Sequence, residues 1–291
     1  MDGKNDQKCP IFGTDSTKIE HNVAIYRYPC GSMDILAAER PIFREPGWEQ
    51  RGRQAPAPAP REPGGRSEGA DMVRSMRRAR AKVRRLALAN DFAWFVTLTL
   101  DPAKIDRYDP AAVTKALNRW ADNMVRRHGM RYILVPEPHK DGAYHFHGFL
   151  AGQGVALHDS GVRWEGRPVY NLPQWTLGFS TAQDLYGEYP AAVAYCCKYI
   201  GKQDGQRPLG RWYYSGGPLR QPERLLCDAS PREIEAAFHG EKYHVDIPGD
   251  NLLIIHQNDK GGAKNGRKQQ ILGSDGLGAG GRFGPGAEGD H

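Results

Sequence analysis

The chain has 291 residues, with 40 Lys and Arg against 34 Asp and Glu, a formal charge of +6. Mean hydropathy is −0.66, and no apolar run reaches the roughly 18 residues of a membrane helix, so a helical membrane protein is excluded and no membrane partner is expected. The mildly basic balance suits a polyanionic partner without proving one.

Residues 1–70 show weak periodicity and are expected to be mostly disordered. Within them, residues 52–70 form a Pro/Gly/Ala linker that has too little apolar surface to bury. A helix is expected over 72–89: Met72, Met76, Ala79, Val83 and Leu86 recur at helical spacing, with Asp71 at the N-cap and Asn90 as a stop. Its other faces carry seven cations, among them Arg77, Arg78 and Arg84. A solvated charged face is one reading. A phosphate-contacting surface is preferred, because one Asp gives little local relief from like-charge repulsion. Residues 92–100 (FAWFVTLTL) are β-branched and aromatic, hence a strand.

Asp109 and Pro110 then open a second helix, whose stripe is Val113, Leu117, Trp120 and Met124 and whose stop is Gly129. RYILVPE is a strand, joined by a turn at Lys140–Gly142 to AYHFHGFL, residues 143–150. Residues 151–174 read as an excursion, Trp175–Thr181 as a strand, and Pro190 to about Lys202 as a helix. This order implies an α+β layered fold of split βαβ, ferredoxin-like type. Organised chain is expected to run from 71 to 219 as one domain, with an extension over 220–256 and a Gly-rich disordered tail over 257–291. The N-terminus lacks a signal-peptide layout and the five cysteines form no CxxC pair, so a reducing, cytoplasmic setting is expected.

Two constellations carry chemistry. On a strand, His145 and His147 face one side. Glu137, at the end of the partner strand, can bring a carboxylate to that side. Two His and a carboxylate leave coordination positions open for a catalytic cation. An HxH pair by itself is equally met as hydrogen-bonded histidines on a half-buried sheet. His139 and His158 fall in expected loops and read as surface residues.

The second constellation is Tyr195-Cys196-Cys197-Lys198-Tyr199 with Lys202. At about 100° per residue, Tyr195, Lys198, Tyr199 and Lys202 share one helix face, while Val193, Cys196, Cys197 and Ile200 take the other. The cysteines therefore read as buried thiols. Lysine charge favours the phenolate of a tyrosine, and attack by it on a phosphodiester leaves a covalent phosphotyrosine that can later be resealed. An interfacial aromatic pair is the plainer reading of two tyrosines four apart.

Taken in order, these motifs resemble those of the HUH endonucleases, and within them the rolling-circle replication initiators of single-stranded DNA phages and plasmids. Phe95–Leu100 is similar to the family's first motif, and His145-Phe146-His147 to its His-hydrophobic-His motif, with Glu137 as third ligand. Tyr195-x-x-Lys198-Tyr199 is similar to the two-tyrosine, gene A-like form. Arg211-Trp212-Tyr213-Tyr214-Ser215 resembles a stretch that often follows in phage relatives. The resemblance spans about residues 92–219.

It implies a central antiparallel sheet of about five strands with flanking helices. It also implies Mg²⁺ or Mn²⁺ as cofactor, a single-stranded origin as substrate, a 5′-phosphotyrosine, and a free 3′-OH for host polymerase in a bacterial cytoplasm. Tyr195 is then the nucleophile and Lys198 its charged neighbour, with Lys202 and Arg211 joining Arg77, Arg78 and Arg84 as DNA contacts. Tyr199 is a second nucleophile or a partner aromatic. No G-x-x-x-x-G-K-[ST] motif is present, so unwinding falls to a host helicase. A mobilisation relaxase or transposase with the same chemistry, or a non-catalytic single-strand-binding regulator, are the alternatives.

Overall fold

A computed structural model describes residues 19–44, 68–185, 189–200, 207–237, 241–247 and 250–257. The expected disorder of 257–291 and of the linker up to residue 67 falls outside the described residues, Gln257 apart. In chain order the elements are β1 (Glu20–His21), β2 (Val23–Arg27), β3 (Met33–Ala38), β4 (Phe43–Arg44), α1 (Glu68–Leu88) and β5 (Trp94–Leu100). They continue with α2 (Pro110–His128), β6 (Arg131–Pro138), β7 (Tyr144–Ala151), β8 (His158–Trp164), β9 (Arg167–Asn171), β10 (Gly178–Asp184) and α3 (Tyr189–Tyr199). The chain closes with β11 (Tyr214–Gly216), β12 (Glu223–Cys227), α4 (Pro231–Ala237), β13 (Glu241–Ile247) and β14 (Asp250–Gln257). No described helix is long and apolar enough to cross a membrane.

The fold is α+β, built on a seven-stranded antiparallel sheet of order β11-β6-β7-β5-β10-β9-β8. Alternation along its strands divides two cores. Val96, Leu98, Leu134, Phe146 and Leu150 face α2, whose Val113, Leu117, Trp120 and Met124 are buried. Phe95, Ile133, Val135 and Phe149 face the opposite way, against Val83 and Leu86 of α1 and Val193 and Cys196 of α3. The caps of α2 are those the sequence indicated: the Asp109 side chain accepts from the Ala111 N–H, and Gly129 adopts φ 59°. Gly148 lets β6 and β7 approach, since a Cβ there would lie 1.9 Å from the Ile133 carbonyl oxygen.

Three expectations are corrected. The sheet has seven strands, not about five: the 151–174 excursion contains the β8–β9 hairpin, and β11 adds an edge. These strands escape a periodicity search because β8 is polar and mostly exposed and β11 has three residues. The helix expected over 72–89 begins at Glu68, so Asp71 lies inside it and ion-pairs with Arg74 at 3.8 Å.

The largest correction concerns residues 19–44, expected within a mostly disordered region. They supply β2 and β3 to a second, five-stranded sheet of order β12-β2-β3-β14-β13, whose other strands come from the 220–256 extension. Strands of five or six residues carry little pattern of their own. Their burial comes from partners about two hundred residues away in sequence. Ile234 of α4 packs into one core of this sheet, with Val23, Ile25, Ile35 and Ile255.

The other face of the second sheet presents Asp34 to α1. Asp34 accepts from Tyr28 Oη at 2.6 Å, pairs with Arg84 Nη2 at 3.2 Å and lies 2.7 Å from His256 Nδ1. Burial would raise this carboxyl, but the His256 hydrogen bond and the Arg84 charge outweigh it and hold it at about 2. Arg85 lies 4.2 Å over the Tyr26 ring. Helix α1 thus joins the two sheets.

Candidate metal and tyrosine site

The β6–β7 hairpin sets Glu137 directly opposite His145, with His147 one pleat further along the same face. Nε2 of His145 and Nε2 of His147 lie 3.1 and 2.9 Å from one Glu137 oxygen, Oε2. All three residues are buried, and one ligand atom from each lies within 4.8 Å of the others. The donor set fits a divalent cation: both Nε2 atoms converge on a carboxylate oxygen, and three protein ligands leave positions for water and phosphate oxygens. The far nitrogen of His147 is also engaged. Its Nδ1 lies 3.1 Å from Oγ1 of Thr97, the residue opposite it on β5. With Nε2 turned to the cation position, Nδ1 carries the proton and donates to Thr97, an outer contact of the kind that orients metal-binding imidazoles.

Helix α3 brings the tyrosines to this end of the sheet. The Tyr199 ring lies flat on His147, 4.1 Å between centroids at 15°, and its hydroxyl donates to the hydroxyl of Tyr195. The Tyr195 ring meets Phe95 edge-on at 5.9 Å. Lys198 is exposed, with Nζ 6.0 Å from the Tyr195 ring centre. Burial, then the hydrogen bond to Tyr195, push the Tyr199 phenol well above its ordinary range. Tyr195 is only half-buried and accepts that hydrogen bond.

The sequence placed both tyrosines on a face opposite the core. The structure instead buries Tyr199, because the metal end of the sheet is itself a packed surface. Among the thiols, Cys196 is fully buried and pushed up by that burial, and burial pushes Cys197 up to about 11, as expected of unreactive thiols.

Helix α1 holds α3 at both ends. The Tyr189 hydroxyl donates to the Ala87 carbonyl, and Arg80 Nε donates to the Ile200 carbonyl at 2.8 Å, just past the last turn. Sequence reading missed both residues. Arg80 was one cation among seven, and only tertiary contact singles it out.

The expected DNA contacts scatter. Arg77 and Arg78 are exposed on α1. Arg84 is turned inward to Asp34, a correction to its reading as a phosphate contact, because a buried carboxylate claims its guanidinium. Arg211 lies 5.7 Å over Tyr214, whose ring belongs to the α2 face, so it is across the sheet from the triad. Lys202 lies outside the described residues. His139, read as a surface loop residue, is exposed but meets His145 edge-on at 5.7 Å.

Residues 93–204 match a family model, that of the ORF2-type replication-associated proteins. This segment is less than half of the chain and includes the triad, both tyrosines and Lys198. No curated protein and no solved structure matches. The segment is thus similar to replication-associated proteins that act on DNA.

Proposed function

We propose that this protein initiates rolling-circle DNA replication by nicking and rejoining a single-stranded origin through tyrosine transesterification, with residues 71–219 as the endonuclease domain. The observation that carries this is the seating of a tyrosine pair on a buried His-His-Glu cluster, Tyr199 being stacked on His147 at 4.1 Å. The match to replication-associated proteins favours replication over mobilisation or transposition. The intact donor set and tyrosines favour an enzyme over a passive binder.

Glu137, His145 and His147 would hold Mg²⁺ or Mn²⁺, which would draw electron density from the scissile phosphate. Tyr195 attacks. Its oxygen bonds to phosphorus and the P–O3′ bond breaks. The 3′ oxygen departs as a hydroxyl by taking up a proton, and the phenol's proton passes to solvent. Tyr199 assists by donating to the Tyr195 oxygen, which favours its anion, and Lys198 offsets charge on the phosphate. Attack by the 3′-OH on the phosphotyrosine reverses the step and reseals the strand. After a round of synthesis by host helicase and polymerase in the bacterial cytoplasm, Tyr199 takes the second cut. Arg77 and Arg78 contact flanking phosphates.

The test is incubation of the protein with labelled single-stranded DNA from its own replicon and Mn²⁺, followed by denaturing electrophoresis and mapping of the attached peptide. A covalent adduct on Tyr195 is expected, lost in Tyr195→Phe and in His145→Ala or His147→Ala. Adduct persisting in Tyr195→Phe moves the first cut to Tyr199. No adduct with the parent protein at any divalent metal overturns the function.

A further inference from the structure

Phe179 is 71% exposed, the most exposed of the large hydrophobic side chains among the described residues. Its place in the register is specific. On β10 it stands directly opposite Thr99 of β5, and Thr99 stands opposite His145 of β7, which faces Glu137 of β6. Directly paired residues of neighbouring antiparallel strands project to the same face. Glu137, His145, Thr99 and Phe179 therefore form one row across four strands, and Phe179 is two strand spacings, about 10 Å, from His145.

The next row runs Val135, His147, Thr97 and Thr181. Helix α3 packs on β6 and β7. On β10 the same face carries Thr181 and Gln183, both half-buried. The half of the face beside the triad is thus a polar strip with one bare aromatic at its end, bordered by Tyr195 and the exposed Lys198.

We infer that this strip is the bed of the single DNA strand and that Phe179 is the platform on which a base next to the scissile phosphate stacks. The inference rests on the proposed function, since it deepens that site's substrate contact. Every base offers an aromatic face, so a lone exposed ring beside hydroxyl and amide side chains suits an unpaired strand, whose phosphates the cation and Lys198 take. The exposure of Phe179 is explained by an occupant that arrives only with substrate. Continuity with the metal row makes that occupant the substrate strand. Phe179 is in this sense a positioning residue: it does not touch the reacting atoms but fixes which phosphate reaches Tyr195.

The test measures anisotropy of a fluorescein-labelled dT20 oligonucleotide with full-length protein on the Tyr195→Phe background, which prevents covalent capture. Phe179→Ala should weaken binding about 5- to 150-fold, the range for loss of one base–aromatic stack. Phe179→Trp should restore it, and Val162→Ala, an exposed position on β8, should leave it unchanged. The salt slope should stay the same in Phe179→Ala, because no phosphate contact is removed. Equal affinity of Phe179→Ala and parent, with adduct formation by the wild-type chain intact, overturns the platform and leaves the nicking function standing. A shift from dimer to monomer in Phe179→Ala without loss of binding also overturns it, assigning the ring to a second copy. Absence of binding and of adduct in the wild-type chain overturns both.

Discussion

Thr97→Val isolates the outer contact of the metal cluster. Valine matches threonine in shape, so the strand pairing with β7 and the packing persist while the hydroxyl 3.1 Å from His147 Nδ1 is lost. His147 is fully buried, so no water replaces that partner. The imidazole is then free to take the other tautomer, with Nε2 protonated toward Glu137 Oε2, 2.9 Å away, and the proton must be displaced before a cation binds. Losses of this kind cost about 10- to 100-fold in metal affinity, or about 1.4–2.7 kcal/mol. Stacking by Tyr199 still restrains the ring plane, which places the expected loss near the lower end. Calorimetric titration with Mn²⁺ reads the dissociation constant directly, and Thr97→Ser should recover most of it. Mn²⁺ affinity in Thr97→Val equal to that of the parent would refute the role of Thr97 and with it the assigned tautomer of His147.

Two further outcomes follow from the contacts of α1. Asp34 is held at about 2, below its ordinary 3.8, so its pairing stabilises the fold above the unfolded-state value and the contribution fades as pH falls toward 2. At 1.36 kcal/mol per unit the contribution near pH 7 is about 2 kcal/mol. Asp34→Asn should lower the urea midpoint at pH 7 and show a shallower decline between pH 4 and pH 2; parallel curves for the two proteins would contradict this. Arg80→Ala removes the donor to the Ile200 carbonyl that anchors the end of α3. The expected result is about tenfold slower adduct formation, equivalent to about 1.4 kcal/mol, with faster amide exchange in α3, unchanged Mn²⁺ affinity and partial rescue by Arg80→Lys. Unchanged rates with unchanged exchange would detach α1 from the site.

Much of the candidate site was legible because its chemistry is encoded over short distances. The HxH alternation on β7 and the hairpin turn bring Glu137, His145 and His147 to one face by strand geometry alone, and Asp109 and Gly129 mark the ends of α2 by cap chemistry. The spacing of Tyr195, Lys198 and Tyr199 likewise puts them on one side of a helix. These features depend on periods of two and 3.6 residues, which any local window contains.

Tertiary structure alone decided the rest. Nothing in residues 23–38 signals that they pair with 223–257, because short strands acquire their burial from a register set by distant chain. The same holds for the basic helix, where local charge could not distinguish Arg84, drawn inward to Asp34, from Arg77 and Arg78 on the surface. Tyr199 lies against His147, and not in solvent, because two packed faces meet there. The sequence by itself determined which groups could act; the packing of α1 and α3 on the seven-stranded sheet decided which of them meet, since side-chain partnership depends on distances in space that local periodicity does not carry.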